Sequence, residues 1–167
     1  MAGLWTEALQ HPYLRGKPDN PMSDKITIAV ADDHSVFRCG VTTLLSLEDD
    51  MEIIASLSDG SQVLDLLENA EPQILLLDLR MPGMNGLETL RRLKGKERNL
   101  RIILLTASED QAEYAEAVAN GASGVMLKQA ATDSLADCIR TVAAGEIWLD
   151  SEALPLPDDF SSAVITG

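Results

Sequence analysis

The chain has 167 residues, 46% of them hydrophobic and 24% charged, which excludes wholesale disorder and fits one compact domain with short extensions. Thirteen basic against 27 acidic residues give a net charge of -14, and residues 26 to 149 hold most of the excess; this field repels phosphate backbones, so nucleic acid is not an expected direct ligand, whereas cations and basic surfaces are. No apolar run approaches the roughly 20 residues that span a bilayer, and the start of the chain lacks the basic and apolar stretches of a secretory signal, so no membrane contact and a cytoplasmic location are expected.

Residues 1–25 read as a flexible N-terminal extension, broken by Gly3, Pro12, Gly16, Pro18 and Pro21. Its Leu4, Trp5, Leu9, Tyr13 and Leu14 are candidates for docking on a partner or on the domain. A regular alternation follows. Strand-length apolar runs occupy Ile26 to Ala31, Met51 to Leu57, Ile74 to Leu77, Ile102 to Leu105 and Gly124 to Leu127. After each comes a helical period, carried by Phe37, Val41, Leu44 and Leu45; Val63, Leu66 and Leu67; Leu87, Leu90 and Leu93; Ala112, Ala115 and Val118; and Leu135, Ile139 and Val142. Asp59 with Gln62, Asn85 with Glu88 and Ser108 with Gln111 have capping-box spacing, and Gly121 and Gly145 supply helix exits. Cys39 and Cys138 lie inside the helical patterns, far from any metal or redox spacing, and are expected to be packing residues. Residues 149–167, with Pro155, Pro157, Asp158 and Asp159, read as a C-terminal tail or linker.

Five strands alternating with five helices predict a five-stranded parallel sheet, doubly wound, with helices on both faces. Ligands of such sheets sit at the carboxyl ends of the strands. There stand Asp32 and Asp33, Asp78, Thr106 and Lys128, after the first, third, fourth and fifth runs. If the first and third strands are neighbours, three carboxylates converge. At about 5 Å and an effective dielectric near 20, each like-charge pair costs roughly 3 kcal/mol, so the cluster needs a cation or must take up protons. Hard oxygen ligands suit Mg²⁺. Singly, each residue has a plainer explanation: Asp33 a helix cap, Thr106 a strand end, Lys128 a solvated lysine. Asp78, directly after four apolar residues, resists a packing explanation, and Ser108 already supplies the cap that would otherwise explain Thr106.

These residues carry a resemblance. Over residues 26–148 the chain resembles a receiver domain of a two-component response regulator, by Asp32-Asp33-His34, by the run from Asp78 through Arg80, Met81, Pro82, Gly83, Met84 and Asn85 to Gly86, by Thr106-Ala107, and by Lys128 after Val125-Met126-Leu127. The wording around Arg80 to Gly86, Gln129 after the lysine, and the ending Val142 to Glu146 resemble the branch that usually carries a LuxR-type helix-turn-helix. The resemblance implies that Asp78 is the phosphoacceptor, taking a phosphoryl group from a sensor histidine kinase. It implies that Asp33, Asp78 and the backbone carbonyl of Arg80 ligate Mg²⁺ directly, and that Asp32 acts mainly through a bound water. Lys128 and Thr106 would contact the phosphoryl oxygens, with the amides of Leu79 and Ala107 as further donors. Pro82, Gly83 and Gly86 would shape the loop. The kinase-facing surface would be the first helix around Val36 to Leu45, and a homodimer is a further implied partner.

Two departures from the family pattern bear on output. Three residues before the lysine, where the family usually has an aromatic switch residue, stands Val125, so output is expected to depend on Thr106 and a backbone shift alone. Past Gly145 no amphipathic helix pair or basic stripe follows, so no direct nucleic-acid binding by this chain is expected, whether an effector was cut away or the regulator works through protein partners. Alternatives are a pseudo-receiver acting as a phosphorylation-independent scaffold and a haloacid-dehalogenase-type phosphatase. The latter wants a second acid two residues after the nucleophile, where Arg80 stands. A flavin module of this fold class would want a neutral hydroxyl-rich loop in place of Asp32-Asp33-His34.

Overall fold

The computed structural model describes residues 24–96 and 99–150, and the backbone of 164–165. The five expected strands and five expected helices all form. They are β1 (Ile26–Ala31), α1 (Ser35–Ser46), β2 (Met51–Leu57), α2 (Gly60–Asn69), β3 (Ile74–Asp78), α3 (Gly86–Leu93), β4 (Arg101–Thr106), α4 (Gln111–Ala119), β5 (Gly124–Leu127) and α5 (Ala131–Ala143), with a 3₁₀ turn over Lys128–Ala130. Two short strands extend the sheet beyond them, β6 (Ile147–Leu149) and β7 (Val164–Ile165). The strand order is β2-β1-β3-β4-β5-β6-β7, and every pairing is parallel. β1 and β3 are neighbours, with Ala31 opposite Leu77. Runs of three and two residues are too short to show a period, which is why pattern reading passes over the last two strands.

Alternation along each strand splits the core into two layers. Ala29, Ala31, Leu75, Leu77, Leu104 and Val125 pack with Val63, Leu66, Leu90, Tyr114 and Ala117, so α2, α3 and α4 cover one face. Ile28, Val30, Ile74, Leu76, Ile103 and Met126 pack with Val41, Leu45, Leu135, Cys138 and Val142, so α1 and α5 cover the other. β3 is buried along its whole length, as its unbroken apolar run requires.

The helix starts explain local geometry, and the helices correct two expectations. Asp59 and Asn85 accept from the amides of Gln62 and Glu88, as their spacing predicts. Asp110, not Ser108, caps α4, its carboxylate accepting from the Ala112 amide, because the loop after Thr106 turns once more before the helix begins. The first residue position of α1 is set by His34 without a side-chain cap, so Asp33 is not spent as one. Cys138 is buried, but Cys39 is exposed on the outer face of α1, because two residues before Val41 it lies roughly half a turn away, across the helix from the buried Val41 and Leu45. Gly86 is required sterically: a Cβ there would lie 2.4 Å from the carbonyl oxygen of Asp78. Helix α3 can thus begin against the end of β3 only without a side chain. Gly121 and Gly145 leave their helices at φ of 100° and 97°, as expected. The docking residues proposed for the leader, Leu4 to Leu14, lie outside the described residues, as does most of the tail.

Candidate functional site

Parallel pairing brings the polar strand ends to one edge. The β1–β2 ladder runs one residue past β1, the Asp32 amide donating to the Leu57 carbonyl at 3.0 Å, which draws Asp32 fully inside. Its Oδ1 accepts from the His34 amide at 2.8 Å, and the Arg38 guanidinium donates to its carbonyl, so the turn into α1 is locked around this acid. Asp33, next along, stays exposed at the rim. Asp78 closes β3 and is 3% exposed. Its Oδ1 accepts from the Arg80 amide at 3.2 Å, and the Leu79 amide donates to the Leu105 carbonyl at 3.1 Å. Thr106 stands one residue beyond Leu105, the register partner of Asp78, and pairs with Leu127, so Lys128 follows directly on the next strand.

Lys128 reaches across the edge. Its Nζ lies 2.8 Å from Asp32 Oδ2 and 3.3 Å from Asp78 Oδ2, and 4.7 Å from the centroid of the Phe37 ring on α1. The ammonium compensates two charges at once, but Oδ2 of Asp32 and Oδ2 of Asp78 are both buried with no hydrogen bond of acceptable geometry. Burial first, and then the neighbouring Asp32 charge, pushes the Asp78 carboxyl up to about 6, while Lys128 and the Arg80 amide pull against that rise.

Ligand atoms of Asp32, Asp33, His34 and Asp78 all lie within 4.8 Å of one another. Two orphaned buried carboxylate oxygens, an exposed third carboxylate and an oxygen-rich donor set fit a hard divalent ion such as Mg²⁺. The site thus gathers Asp32, Asp33, Asp78 and Lys128 as the strand-end reading expects. The carbonyl of Arg80 sits in the loop whose amide already binds Asp78, while the Arg80 side chain leaves the site to pair with Glu113 at 2.5 Å. The Thr106 hydroxyl, 1% exposed, accepts from the Ser108 amide at 3.0 Å. An open cleft of about 490 Å³ adjoins the acids, lined by Asp33, Arg80, Pro82, Asn85 and Glu113 among others.

His34 is the participant that sequence reasoning did not assign a role. Its Nδ1 lies 3.2 Å from Asp32 Oδ1, 3.2 Å from Asp33 Oδ1, 3.9 Å from Asp78 Oδ2 and 3.4 Å from Lys128 Nζ. The available signal was its place directly after the acidic pair, which puts the ring at the mouth of any pocket those acids form.

The family model for the response regulator receiver domain matches residues 28–140. The nitrate/nitrite response regulator protein NarL of Escherichia coli is 41% identical over 128 residues, 77% of this chain and 59% of that protein. The transcriptional regulatory protein DegU of Brevibacillus brevis is 32% identical over 126 residues, covering 75% of this chain and 53% of its own. The chain therefore spans only a little over half the length of these relatives. Among solved structures, a DNA-binding response regulator of the LuxR family from Staphylococcus aureus superposes with a TM-score of 0.67 at 30% identity, over 71% of this chain and 98% of that one. The receiver domain of RcsB from Escherichia coli shares the fold, with a TM-score of 0.71 at 22% identity, over 76% and 99% of the two chains.

Proposed function

The chain belongs to the response regulator receiver domain family, and from that membership we propose that Asp78 accepts a phosphoryl group from the phosphohistidine of a sensor histidine kinase. The observation that carries the reading is Asp78 Oδ2, a buried carboxylate oxygen with no hydrogen bond, set between a lysine and two further acids. Oδ1 is held by the Arg80 amide, which leaves Oδ2 to attack phosphorus. The O–P bond forms as the N–P bond of the donor breaks, and the imidazole nitrogen leaves with the electron pair.

Asp33, Asp78 and the Arg80 carbonyl would hold Mg²⁺, with Asp32 contributing through water. The ion supplies charge compensation for the carboxylates and the phosphoryl oxygens. Lys128 trades its contact with Asp78 for one with a phosphoryl oxygen, and Thr106 turns its hydroxyl from the Ser108 amide to another. The amides of Leu79 and Ala107 are further donors. The chain in this reading switches a binding face and catalyses no turnover.

Docking falls to α1. Val36 and Leu47, 85% and 76% exposed, are the exposed large hydrophobics among the described residues, and they lie with Gly40 and Thr43 on one stripe at helical spacing that starts beside His34. A helical donor seated there would deliver its histidine to the acids. Among the described residues no helix is long and apolar enough to cross a membrane.

Incubation with Mg²⁺ and acetyl phosphate, followed by intact mass, tests the reading. One added phosphoryl group on wild type, absent from Asp78→Asn, is expected. An unmodified wild type would leave the scaffold reading, and steady release of many equivalents of phosphate would point to a phosphatase.

A further inference from the structure

Tyr114 is a large, fully buried polar-tipped side chain that the proposed chemistry does not use. It sits on α4, in the same core layer as Val125. Its hydroxyl donates to the carbonyl of Ser108. The amide of the same Ser108 donates to Thr106 Oγ1 at 3.0 Å, and the Ser108 hydroxyl accepts from the Asp110 amide at 3.2 Å, at the start of α4. Ser108 is thus a junction with the site threonine on one side and the phenol of α4 on the other.

The two ends are not independent. A Thr106 hydroxyl that turns toward a ligand at the sheet edge gives up the Ser108 amide, so its movement frees the N–H side of Ser108. The phenol is buried and has its carbonyl partner in that loop, so a shift of Ser108 strands the hydroxyl unless the ring and α4 follow. We propose that Tyr114 is a positioning residue, tying the rotamer of Thr106 to the placement of α4 through Ser108. The coupling itself concerns the unphosphorylated fold; its use in signalling rests on the phosphoacceptor reading above.

Hydrogen exchange of the full chain, followed by mass spectrometry over residues 106–119, separates the two. In the unphosphorylated protein Tyr114→Phe keeps the ring and removes the hydroxyl, and Thr106→Val removes the other end. Each is expected to speed exchange of the amides 107–110 about tenfold, and the double variant to exchange no faster than either alone, as members of one connected unit do. Multiplying rates in the double variant, or unchanged exchange in Tyr114→Phe, would overturn the coupling whether or not phosphorylation occurs. After treatment with Mg²⁺ and acetyl phosphate, Tyr114→Phe should take up phosphoryl groups as wild type does but lose the phosphorylation-linked exchange change over 111–119. Retention of that change in the phosphorylated variant would also overturn it. A wild type that takes up no phosphate would instead end the phosphoacceptor reading and leave the first measurement standing.

Discussion

Two clusters in this molecule each set several acids around one base, and they behave in opposite ways. At the sheet edge, Lys128 faces the buried Asp32 and Asp78, and one oxygen of each acid lacks a hydrogen bond. On the surface joining α5 to the α1–β2 connection, Arg140 holds Asp50 with two bonds of 2.9 and 3.0 Å, Glu48 at 2.6 Å and Asp137 at 3.7 Å. The Arg140 hydrogen bond holds the Asp50 carboxyl below the usual carboxylate range, whereas burial lifts that of Asp78. The surface cluster has a planar, multidentate partner and water to share the charge. The interior one has only the Lys128 ammonium, and that unmet demand is what makes it compatible with a divalent ion.

Removing the base should separate the clusters most sharply. Lys128→Ala leaves two buried carboxylates facing each other, and a loss of about 3 kcal/mol is expected in chelator at pH 7.5, in line with breaking a buried pair. Urea denaturation measures it. Millimolar Mg²⁺ should recover much of the loss, because a divalent ion would take over the compensation; no recovery would count against a cation site among these acids.

Removing an acid from the same cluster should act in the reverse sense. The Asp78 carboxyl is raised from 3.8 to about 6, so its contribution to stability is complete below about pH 4 and is lost as the pH climbs through 6. A shift of that size corresponds to roughly 3 kcal/mol in full, and the open side of the site reduces the expectation to about 1–2 kcal/mol. Asp78→Asn should therefore be more stable than wild type at pH 7.5 in chelator, and the gain should shrink at pH 4.5. A gain equal at both pH values would show that the carboxyl is not strained by burial.

For the surface cluster the sign turns over again. Asp50 is held low by Arg140, so its contribution is present above 3.8 and fades as the pH falls through its folded value. All four side chains are at least a third exposed, and solvent screening keeps the contribution near about 1 kcal/mol. Arg140→Ala should lose that much at neutral pH and less in strong acid or high salt, with phosphoryl uptake unchanged.

The contrast also marks what the amino-acid order makes legible. Asp32, Asp33, Asp78, Thr106 and Lys128 follow apolar runs whose period fixes strand ends, and parallel pairing does the rest, so the edge could be assembled from pattern alone. The Arg140 cluster joins positions about 90 apart through long flexible side chains, and no local period encodes that meeting. The exposure of Cys39 is not legible from composition, because α1 carries apolar residues on its outer face as well, Val36 among them. Asp110 takes the cap from Ser108 because the loop turns once more after Thr106: the Ser108 hydroxyl accepts from the Asp110 amide instead of a helix amide, and its backbone is held by Thr106 and Tyr114, contacts that exist only once β4 and α4 are packed together.

The smallest expected effect lies on the outer face of α1, where another feature goes uncompensated among the described residues. Gly40 sits in the interior of that helix, and a Cβ built there meets nothing within 4 Å. Its backbone is not in the left-handed region, so neither packing nor conformation within the domain calls for glycine. Gly40→Ala should raise stability by about 0.5–1 kcal/mol, by restricting the unfolded chain and improving helix propensity. If the stripe from Val36 to Leu47 receives a partner helix, the same methyl group stands where the two backbones approach. Phosphoryl uptake from acetyl phosphate should then be unchanged while transfer from a phosphorylated histidine kinase slows. Equal rates from both donors would move the docking surface off this face, and a loss of stability would mean that glycine serves the fold after all.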